Sequence, residues 1–457
     1  MSPIVIDKLI SIVGSEYVLV SDEDRLAYAY DSQMLEFPPD AVIRPRTADE
    51  ISEILHLANE ELVAVVPRGS GTGLSGGSVA PGGGVVLDLS RMNSILEIDS
   101  GNLHAVCEPG VITAHLAAEA EKQGLLYPPD PGSIKVSTLG GNVAENAGGL
   151  RAIKYGVTKN YLMQVRAVSP TGEEFVSGAK TRKCVAGYDL ASLLCGSEGT
   201  LAVLTEITVR LVPYPKFRRA LTAVFETASA AGGAVSEIMA AGLTPSTLEI
   251  LDQRTIQVVE DYARLGLPKE AGALLLVEFD GFSEAAVTDE TEAAQKILLQ
   301  AQARQITQAQ DDQEREKIWE ARRVALAALA RVRPTTILED VTVPLPELST
   351  MIDRIADIAR KHSILIGTFG HAGDGNLHPT LLTDERDAEE MARVENAITE
   401  LFDAALELGG TVSGEHGIGF TKAPFLRKEV GENTLEVMRR VKRSLDPNNI
   451  LNPGKFL

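Results

Sequence analysis

The first part of the chain alternates between short apolar runs, glycine-rich turns and helical patterns. Thr47 followed by Glu50 is a capping-box signature, and the residues after it carry apolar side chains at helical spacing, which predicts a helix. Residues 63–66 (VAVV) and 85–89 (VVLDL) are short, apolar and bounded by turn residues, which predicts two buried strands. The alternation continues to about Val212, where nearby prolines mark a boundary.

Beyond the boundary, apolar strands are separated by long alanine-rich helices. The predicted elements are a strand at 221–225, a helix ending at Ala241, a strand at 274–279, helices at 284–302 and 312–330, a strand at 335–343 and a helix at 348–361. This repeat predicts an antiparallel sheet covered by helices on one face. The glutamine-rich stretch 300–313 is interpreted as a solvated helix end or a crossing, because its flanks are helical.

The segment Pro67–Gly77 (PRGSGTGLSGG) directly follows the first of these strands. Eight glycines between Gly69 and Gly84 let the backbone aim successive N–H groups at one anion, which suits a pyrophosphate. Part of the segment fits the G-x-G-x-x-G pattern, but the glycines and Pro81 that follow exclude the helix that a Rossmann fold requires. An ordinary surface turn is the alternative interpretation.

Two further glycine-rich segments lie downstream. Residues 128–149 begin with PPDPGS and end with two glycine pairs, and residues 196–201 (GSEGTL) lead into an apolar strand at 206–211. Prolines fix the entry of the longer segment, while its glycines let main chain lie against a flat ligand. Each segment taken alone is equally well interpreted as a tight packing turn.

Residues 371–378 (HAGDGNLH) carry two histidines around a turn signal. Asp374-Gly375 predicts a two-residue hairpin turn between flanking apolar strands. With that turn, His371 and His378 oppose each other with Cβ atoms about 5 Å apart. Two imidazoles in this position suit one divalent cation.

The segment 414–419 (GEHGIG) supplies the best candidate for a third metal ligand, Glu415, beside His416 in a glycine-rich stretch. A single histidine is more often structural than a ligand. Three of the seven histidines of the chain fall in these two short motifs, however, which favours the metal site.

Composition narrows the class of protein. The chain has 457 residues, 44% hydrophobic, which is long enough for two or three domains. Its net charge of −21 argues against nucleic acid and anionic membrane surfaces as partners. Three cysteines without C-x-x-C spacing indicate a reducing compartment and no iron–sulfur cluster in this chain. Without a long apolar run, we expect a cytoplasmic protein with no direct membrane insertion, which contacts a membrane only through a partner.

In this order, the three glycine-rich segments resemble the FAD-linked oxidases of the vanillyl-alcohol oxidase type, along essentially the whole chain. The sequence is most similar to the group with the glycolate oxidase flavoprotein subunit, D-lactate dehydrogenases and D-2-hydroxyglutarate dehydrogenase, including the ending at 445–455. The resemblance implies an α+β fold with three parts. They are a two-part FAD-binding domain (PCMH type) at 1–216, an α/β substrate or cap domain with an antiparallel sheet and the metal hairpin at 217–410, and a C-terminal segment at 411–457 that returns to the FAD domain.

The resemblance also implies FAD, with its pyrophosphate on residues 68–76 and its isoalloxazine near 129–142, 198 and 452. The cofactor-binding residues it implies are Pro67, Arg68, Gly69, Ser70, Gly71, Thr72, Gly73, Leu74, Ser75, Gly76, Pro129, Asp130, Ser133, Thr138, Gly140, Gly141, Asn142, Gly148, Gly149, Glu198, Gly199, Ile207 and Asn452. Relatives that bind flavin covalently carry a His in or beside the first glycine-rich segment (67–77) or a Cys in the second (128–149). Neither is present here, so the FAD is expected to be non-covalent.

The same resemblance assigns roles to the polar motifs. It implies a divalent metal ion of the Zn, Fe or Mn type on His371, His378 and Glu415, with His416 as the base. Arg322 and Arg323 lie on one predicted helix, and helical spacing directs only one of them into a site. The resemblance selects Arg322 to grip a substrate carboxylate, whereas a solvated charge pair is the alternative on sequence alone.

The implied reaction is oxidation of a 2-hydroxy acid to the 2-oxo acid, with hydride transfer to flavin N5. Leu326 and Leu338 replace the Thr and Lys that the hydroxyglutarate enzymes use for a second carboxylate, which favours a small monocarboxylate such as lactate or glycolate. Electrons are then expected to pass to a separate iron–sulfur subunit, an electron-transferring flavoprotein or the quinone pool. A non-catalytic FAD-binding electron-transfer subunit and an oxygen-using 2-hydroxy acid oxidase are the alternatives.

Overall fold

The computed structural model describes residues 2–33 and 35–457. The chain forms two compact units. The first unit comprises residues 1–148, 156–214 and 415–457, and the second comprises residues 149–155 and 215–414. Within the described ranges, no helix is both long enough and apolar enough to span a bilayer.

The helices account for much of both units. They are α1 (Pro3–Val13), α2 (Asp22–Ala27), α3 (Ala48–Glu61), α4 (Thr113–Glu121), α5 (Leu139–Glu145), α6 (Ala152–Tyr155), α7 (Leu190–Leu194), α8 (Ala228–Ala240), α9 (Gln253–Ala263), α10 (Glu284–Gln300), α11 (Asp312–Arg323), α12 (Ala325–Leu329), α13 (Leu348–His362), α14 (Ala388–Glu407) and α15 (Ala423–Leu445). Helix α15 is interrupted at Gly431, which has φ +74°.

The strands alternate with these helices along the chain. They are β1 (Val18–Leu19), β2 (Ala41–Ile43), β3 (Val65–Arg68), β4 (Val85–Asp88), β5 (Ile95–Asp99), β6 (His104–Cys107), β7 (Leu125–Leu126), β8 (Leu162–Val168), β9 (Glu174–Gly178), β10 (Val203–Arg210), β11 (Val212–Pro213), β12 (Phe217–Phe225), β13 (Thr247–Asp252), β14 (Ala273–Gly281), β15 (Gln305–Gln308), β16 (Thr335–Leu338), β17 (Val341–Thr342), β18 (Leu365–Gly370) and β19 (Asn376–Thr383).

The first unit is built on two main sheets. One has the order β1-β2-β4-β3, with β2, β4 and β3 parallel, and the other is an antiparallel sheet of order β5-β6-β10-β8-β9. Apolar side chains of α1 and α3, such as Leu9 and Ile54, pack into one core with the inner residues of β3 and β4. The C-terminal segment returns to this core, where Leu451 forms a parallel bridge with Val65. The glycine-rich loop between β3 and β4 is thereby anchored at its base.

The second unit contains one antiparallel sheet of order β15-β12-β14-β13-β18-β19-β16, and β17 also pairs with β19. Strand β14 is buried along nearly its whole length, as expected of a central strand. The predicted antiparallel sheet of an α/β unit is confirmed, while its role in binding substrate stays a prediction. Its central strands carry the polar residues described below.

Several predicted elements agree with the structure. Helix α3 begins after Thr47, whose hydroxyl accepts a hydrogen bond from the Glu50 N–H at 3.2 Å. Residues 69–84 form a helix-free loop between two parallel strands. The exclusion of a Rossmann helix after β3 was therefore correct.

Other boundaries differ for identifiable reasons. The glutamine-rich stretch is not a helix end alone, because Gln305–Gln308 pairs with β12 as an edge strand. The predicted strand 335–343 is divided into β16 and β17, with Glu339 and Asp340 between them. The predicted helix 312–330 is divided at Val324.

The unit boundaries also differ from the predicted 216 and 410. They fall at 214/215 and 414/415, and residues 149–155 belong to the second unit rather than the first. The reason is local: the Lys154 ammonium lies 2.7 Å from Asp280 Oδ1, and the Tyr155 hydroxyl donates to the same carboxylate at 2.9 Å. Asp280 is a buried residue of β14, so this short helical segment is fixed to the large sheet.

Candidate functional site

The glycine-rich loop after β3 lies against the second glycine segment in the first unit. Gly71 and Gly76 have φ angles of +69° and +77°, which L side chains rarely adopt. A Cβ atom on Gly69 would collide with the Thr138 hydroxyl, and that hydroxyl caps α5 by accepting from the Gly141 N–H. Main chain of the two segments therefore approaches more closely than any side chain would permit.

Arg68 shapes this loop from within. Its guanidinium donates to the carbonyls of Tyr30, at 2.8 Å, and Ser78, at 3.2 Å, and lies over the Tyr28 ring. Burial is the largest influence on the Arg68 pKa and lowers it. Because the side chain is engaged with the protein, Arg68 would present its backbone to a pyrophosphate.

The second glycine segment is held by a buried polar network. Asn142 Nδ2 donates to the Thr113 hydroxyl at 2.7 Å, and the Gly140 N–H donates to the Pro109 carbonyl at 2.7 Å. A Cβ on Gly140 would collide with Pro109. Upstream, Ser133 begins a turn whose carbonyl accepts from the N–H of Ser137 at 2.8 Å. Thr138, Gly140 and Asn142 thus lie in one firmly held segment, and their contact with FAD stays a prediction.

The third glycine segment meets the C-terminal segment at Asn452. Asn452 Nδ2 donates to the carbonyls of Gly77, at 2.9 Å, and Glu198, at 2.7 Å. Within residues 2–33 and 35–457, the buried Asn452 Oδ1 and Ser75 Oγ have no hydrogen-bond partner. Buried acceptors and hydroxyls are normally satisfied, so these atoms suit a polar ligand at the glycine loops. The residues present fit FAD.

Two implied flavin residues have evident structural roles. The Glu198 carboxylate accepts from the N–H groups of Ile418, at 2.8 Å, and Gly419, at 2.6 Å. Ile207 is fully buried in the central strand β10, paired with Cys107 and Val165. Pro129 is buried, Asp130 is half-buried, and Gly199 packs on Pro67. Their contact with a flavin stays a prediction.

Glu198, which the resemblance implied, forms a buried pair of carboxylates with Glu145, which the sequence did not indicate. Burial raises the pKa of Glu145 well above its ordinary value, and the Glu198 charge raises it further. Burial also raises the pKa of Glu198, although the Ile418 and Gly419 amides oppose this. Lys455 lies nearby, and burial lowers its pKa to about 8 against the opposing charges of Asp31 and the two glutamates.

Two glycines of the segment 414–419 lie where a side chain would be strained or would not fit. Gly417 and Gly419 have positive φ, and a Cβ on Gly417 would meet the carboxylates of Glu145 and Glu198. Within the first unit, His416 Nε2 lies 3.9 Å from Glu415 Oε1. Both side chains are largely buried, so an imidazole ring and a carboxylate lie next to each other in this segment.

In the second unit, Arg322 and His371 share one carboxylate. Glu249, at the centre of β13, lies 2.5 Å from Arg322 Nε through Oε2 and 2.6 Å from His371 Nδ1 through Oε1. Burial alone would raise the pKa of Glu249, but the His371 ring and the Arg322 guanidinium outweigh it and the pKa lies below its ordinary value. Of the two arginines, Arg322 faces this cluster and Arg323 pairs with the exposed Glu316.

The two histidines are close, but not in the predicted way. The predicted two-residue turn is wrong, because Ala372–Asp374 forms a 3-10 turn and Phe369, not His371, pairs with His378. His371 follows Phe369 by two positions and so points to the same face of the sheet. The rings of His371 and His378 stand perpendicular with centroids 5.2 Å apart. Both are buried, so the pair suits one metal ion.

Asp340 fixes the chain that leads to Glu415. This fully buried carboxylate accepts from the Asn376 amide, the Ser413 hydroxyl at 2.9 Å and the Gly414 N–H at 2.8 Å. A Cβ on Gly414 would collide with Thr342 and Asn376. Because Glu415 is the next residue, its backbone begins from a fixed point.

Sequence reasoning missed Glu249 and Asp340, although a signal was present. Each acid sits inside a short apolar run, in TLEILD and ILEDVT. A charged residue in a strand that reads as buried requires partners. Its partners come from distant segments, so only the fold identifies them.

Comparison with known proteins identifies the family of the chain. The family model for the FAD-linked oxidase C-terminal domain matches residues 214–456, and the FAD binding domain model matches residues 39–178. The chain is 50% identical to the glycolate oxidase subunit GlcD of Bacillus subtilis, over 98% of this chain and 96% of that protein. It is 36% identical to the Escherichia coli K12 glycolate oxidase subunit GlcD, covering 96% and 88% of the two chains. It is 37% identical to a D-lactate dehydrogenase of Anaerostipes hadrus, covering 97% and 95%.

Solved structures show the same fold at low identity. A substrate-bound p-cresol methylhydroxylase superimposes with a TM-score of 0.82 at 18% identity, covering 99% of this chain and 96% of that one. The 4-ethylphenol oxidase of Gulosibacter chungangensis gives 0.81 at 20% identity, with coverage of 99% and 96%. The family matches and the close relatives together confirm the resemblance seen in the sequence. The chain therefore belongs to the FAD-linked oxidases, in the group with glycolate oxidase subunits and D-lactate dehydrogenases, and is an FAD-dependent oxidoreductase.

Proposed function

We propose that this oxidoreductase converts a small D-2-hydroxy acid, lactate or glycolate, to the 2-oxo acid. The observation that carries the proposal is the cluster in the second unit, where a guanidinium and two perpendicular imidazoles are held around Glu249 and Phe369. The guanidinium could bind a carboxylate, and the neighbouring imidazoles could hold a metal ion that binds a hydroxyl group. This combination suits an α-hydroxy carboxylate as substrate. The relatives named for glycolate oxidation and D-lactate dehydrogenation support the same class of substrate.

Bound FAD would supply the hydride acceptor, at flavin N5. The glycine segments around Gly69, Thr138 and Gly140 would hold its phosphates and ring system through backbone N–H groups. Buried Ser75 Oγ and Asn452 Oδ1 are available to its polar edges. No His or Cys stands in the positions used for covalent attachment, so we propose non-covalent binding.

A divalent ion of the Zn, Fe or Mn type would lower the pKa of the substrate hydroxyl. His371, His378 and Glu415 are proposed to hold it, and His371 would use Nε2 because Nδ1 is engaged with Glu249. His416 would accept the hydroxyl proton at Nε2, the ring nitrogen beside Glu415. Arg322 would orient the substrate carboxylate.

The proposed preference for a short substrate depends on two leucines. Leu338 is buried in β16, and Leu326 lies in α12 with its side chain partly exposed. Neither can pair with a second carboxylate, so a dicarboxylate would leave a charge without a partner. This favours lactate or glycolate over hydroxyglutarate.

We also propose a separate electron acceptor. The Bacillus subtilis and Escherichia coli relatives are named as subunits, and the three cysteines lack cluster spacing. The expected acceptors are an iron–sulfur subunit, an electron-transferring flavoprotein or a quinone. The net charge of −21 argues against a nucleic-acid partner. As the sequence analysis expects, we propose a cytoplasmic location with membrane contact only through the acceptor.

Anaerobic flavin reduction tests the proposal. The holoenzyme is mixed without oxygen with D-lactate, glycolate, L-lactate or D-2-hydroxyglutarate, and bleaching of the flavin is followed. We expect rapid bleaching with D-lactate or glycolate only. No bleaching with any 2-hydroxy acid would favour a non-catalytic electron-transfer subunit. Subsequent mixing with oxygen or an artificial acceptor then distinguishes an oxidase, which oxygen reoxidises quickly, from a dehydrogenase.

A further inference from the structure

Glu249 is the only described residue whose carboxylate bridges a proposed metal ligand and the proposed substrate cation. Its Oε1 lies 2.6 Å from His371 Nδ1, 122 residues away in sequence, and its Oε2 lies 2.5 Å from Arg322 Nε. The side chain is fully buried in the middle of β13. A charge in this position is stabilised only by these two partners, so all three groups are fixed together.

The contact with His371 determines which ring nitrogen is available. In the neutral ring, a carboxylate at Nδ1 holds the proton on that nitrogen, which leaves the lone pair on Nε2. Partners of this kind orient metal-binding histidines and increase the basicity of the ligating nitrogen. Glu249 therefore sets both the tautomer and the direction of His371.

The contact with Arg322 determines which part of the guanidinium is available. An arginine binds a carboxylate either side-on, through Nε and one terminal nitrogen, or end-on, through both terminal nitrogens. Glu249 occupies Nε. Phe369 lies under the guanidinium, with Cζ 4.6 Å from the ring centroid, and its ring is 5.5 Å from that of His378. The end-on face, Nη1 and Nη2, is the one left for a substrate.

We propose that Glu249 is a positioning residue that couples metal binding to carboxylate recognition. It would hold His371 so that Nε2 is available to a metal ion, and Arg322 so that its terminal nitrogens are available to the substrate carboxylate. The inference rests on the proposed function, because it assigns Glu249 to that site. Loss of the carboxylate should therefore disturb two properties that a merely structural residue would not link.

The test compares Glu249→Gln with Glu278→Gln. Glu278 is a matched control because it is also a buried carboxylate of the same sheet, and it accepts from Trp319 Nε1, on the helix that carries Arg322, at 2.8 Å. Glutamine at 249 can accept from only one of the two donors. We expect it to speed loss of the metal ion to a chelator by about 10- to 100-fold. The preference for D-lactate over the neutral D-lactamide, measured as kcat/KM for flavin reduction, should fall about tenfold.

The control variant should keep the parent values of both properties. Thermal midpoint and FAD content are measured alongside to show that each variant is folded. If Glu249→Gln does not fold, Glu249→Asp carries the same measurements, because the shorter side chain cannot reach both partners. Folded Glu249 variants with the parent chelation rate and parent amide discrimination would overturn the proposal, as would equal losses in both Gln variants. A parent protein that binds no metal or does not oxidise D-lactate would instead count against the proposed function.

Discussion

The imidazole rings of His371 and His378 stand perpendicular with centroids 5.2 Å apart, although Phe369 is the residue that pairs with His378 across the strands. The longer connection of the hairpin displaces His371 by two positions along the same face. The two histidines proposed as metal ligands therefore form a diagonal pair rather than an opposed pair. The proposed metal binding requires that both histidines lie on the same face of the sheet, and it does not require that they oppose each other across the strands.

Removal of one ring tests the metal centre. We expect His378→Ala to lose a stoichiometric divalent ion and nearly all turnover, because two remaining ligands hold such an ion poorly. FAD should stay bound, since the glycine segments are in the first unit. Metal analysis and flavin absorbance of the purified variant measure both. His362→Ala is the control, since His362 pairs with Glu400 at the end of α13 and should keep metal and turnover. Normal turnover in His378→Ala would contradict the site.

The adjacent residues Glu415 and His416 should separate ligand from base. We expect His416→Asn to keep flavin and metal but to slow anaerobic flavin reduction by about 10² to 10⁴, the usual contribution of a positioned base. Glu415→Ala should lose the metal ion instead. Single-turnover reduction and metal content are measured in both variants. A His416→Asn protein that reduces its flavin at the parent rate would show that the assigned role is wrong.

Local signals explain what the sequence could predict. The Thr47 cap and the helix-free loop from Gly69 to Gly84 are encoded within a few neighbouring residues, and both lie where the sequence predicts them. The alternation of strands and helices is also present, although several element boundaries differ. The hairpin register was wrong because Asp374-Gly375 is also compatible with the end of a 3-10 turn, where Gly375 has φ +72°. Short motifs do not distinguish these two turns.

Long-range contacts explain what the sequence could not predict. Glu249 meets His371 across 122 residues, and Glu198 meets Gly419 across 221. No spacing rule connects such positions, so buried carboxylates that hold site residues in place appear only in the folded chain. The resemblance selected Arg322 rather than Arg323 as the residue that faces the site. The structure gives a physical reason, because Arg322 pairs with the buried Glu249 and Arg323 pairs with the exposed Glu316.

Flavin attachment can be tested without kinetics. Acid precipitation of the holoprotein should release all of the yellow colour into the supernatant, because the glycine-rich segments 67–77 and 128–149 contain neither His nor Cys. Absorbance of pellet and supernatant measures the division. Colour retained in the pellet would contradict non-covalent binding.

The Glu145 carboxyl should make stability depend on pH. Burial and the Glu198 charge raise its folded-state pKa, so its contribution to stability is present below the ordinary carboxyl pKa and is lost as pH rises through the raised value. Relative to the parent, we expect Glu145→Gln to gain thermal stability between about pH 5 and about pH 8. Glu198→Gln is the matched control. It should lose stability at both pH values, because an amide cannot accept from both the Ile418 and Gly419 N–H groups. Parallel pH profiles for Glu145→Gln and the parent would contradict the prediction.

Lys442 should stabilise the segment that returns to the flavin loops. Its buried ammonium pairs with Asp446 and donates to the carbonyls of Thr200, at 2.8 Å, and Leu451, at 2.7 Å. Lys442→Met leaves the fully buried Asp446 charge without its partner, which we expect to cost about 3–5 kcal/mol.

The exposed pair of Arg440 and Glu436 on the same helix provides the comparison. Arg440→Met should leave the thermal midpoint close to the parent value, because exposed ion pairs contribute little. Thermal midpoint and FAD retained after desalting are measured for both variants. Because Asn452 lies directly after Leu451 and binds the Gly77 carbonyl, loss of FAD should accompany the loss of stability in Lys442→Met alone. Equal midpoints in the two variants would show that the buried pair is not what holds the C-terminal segment.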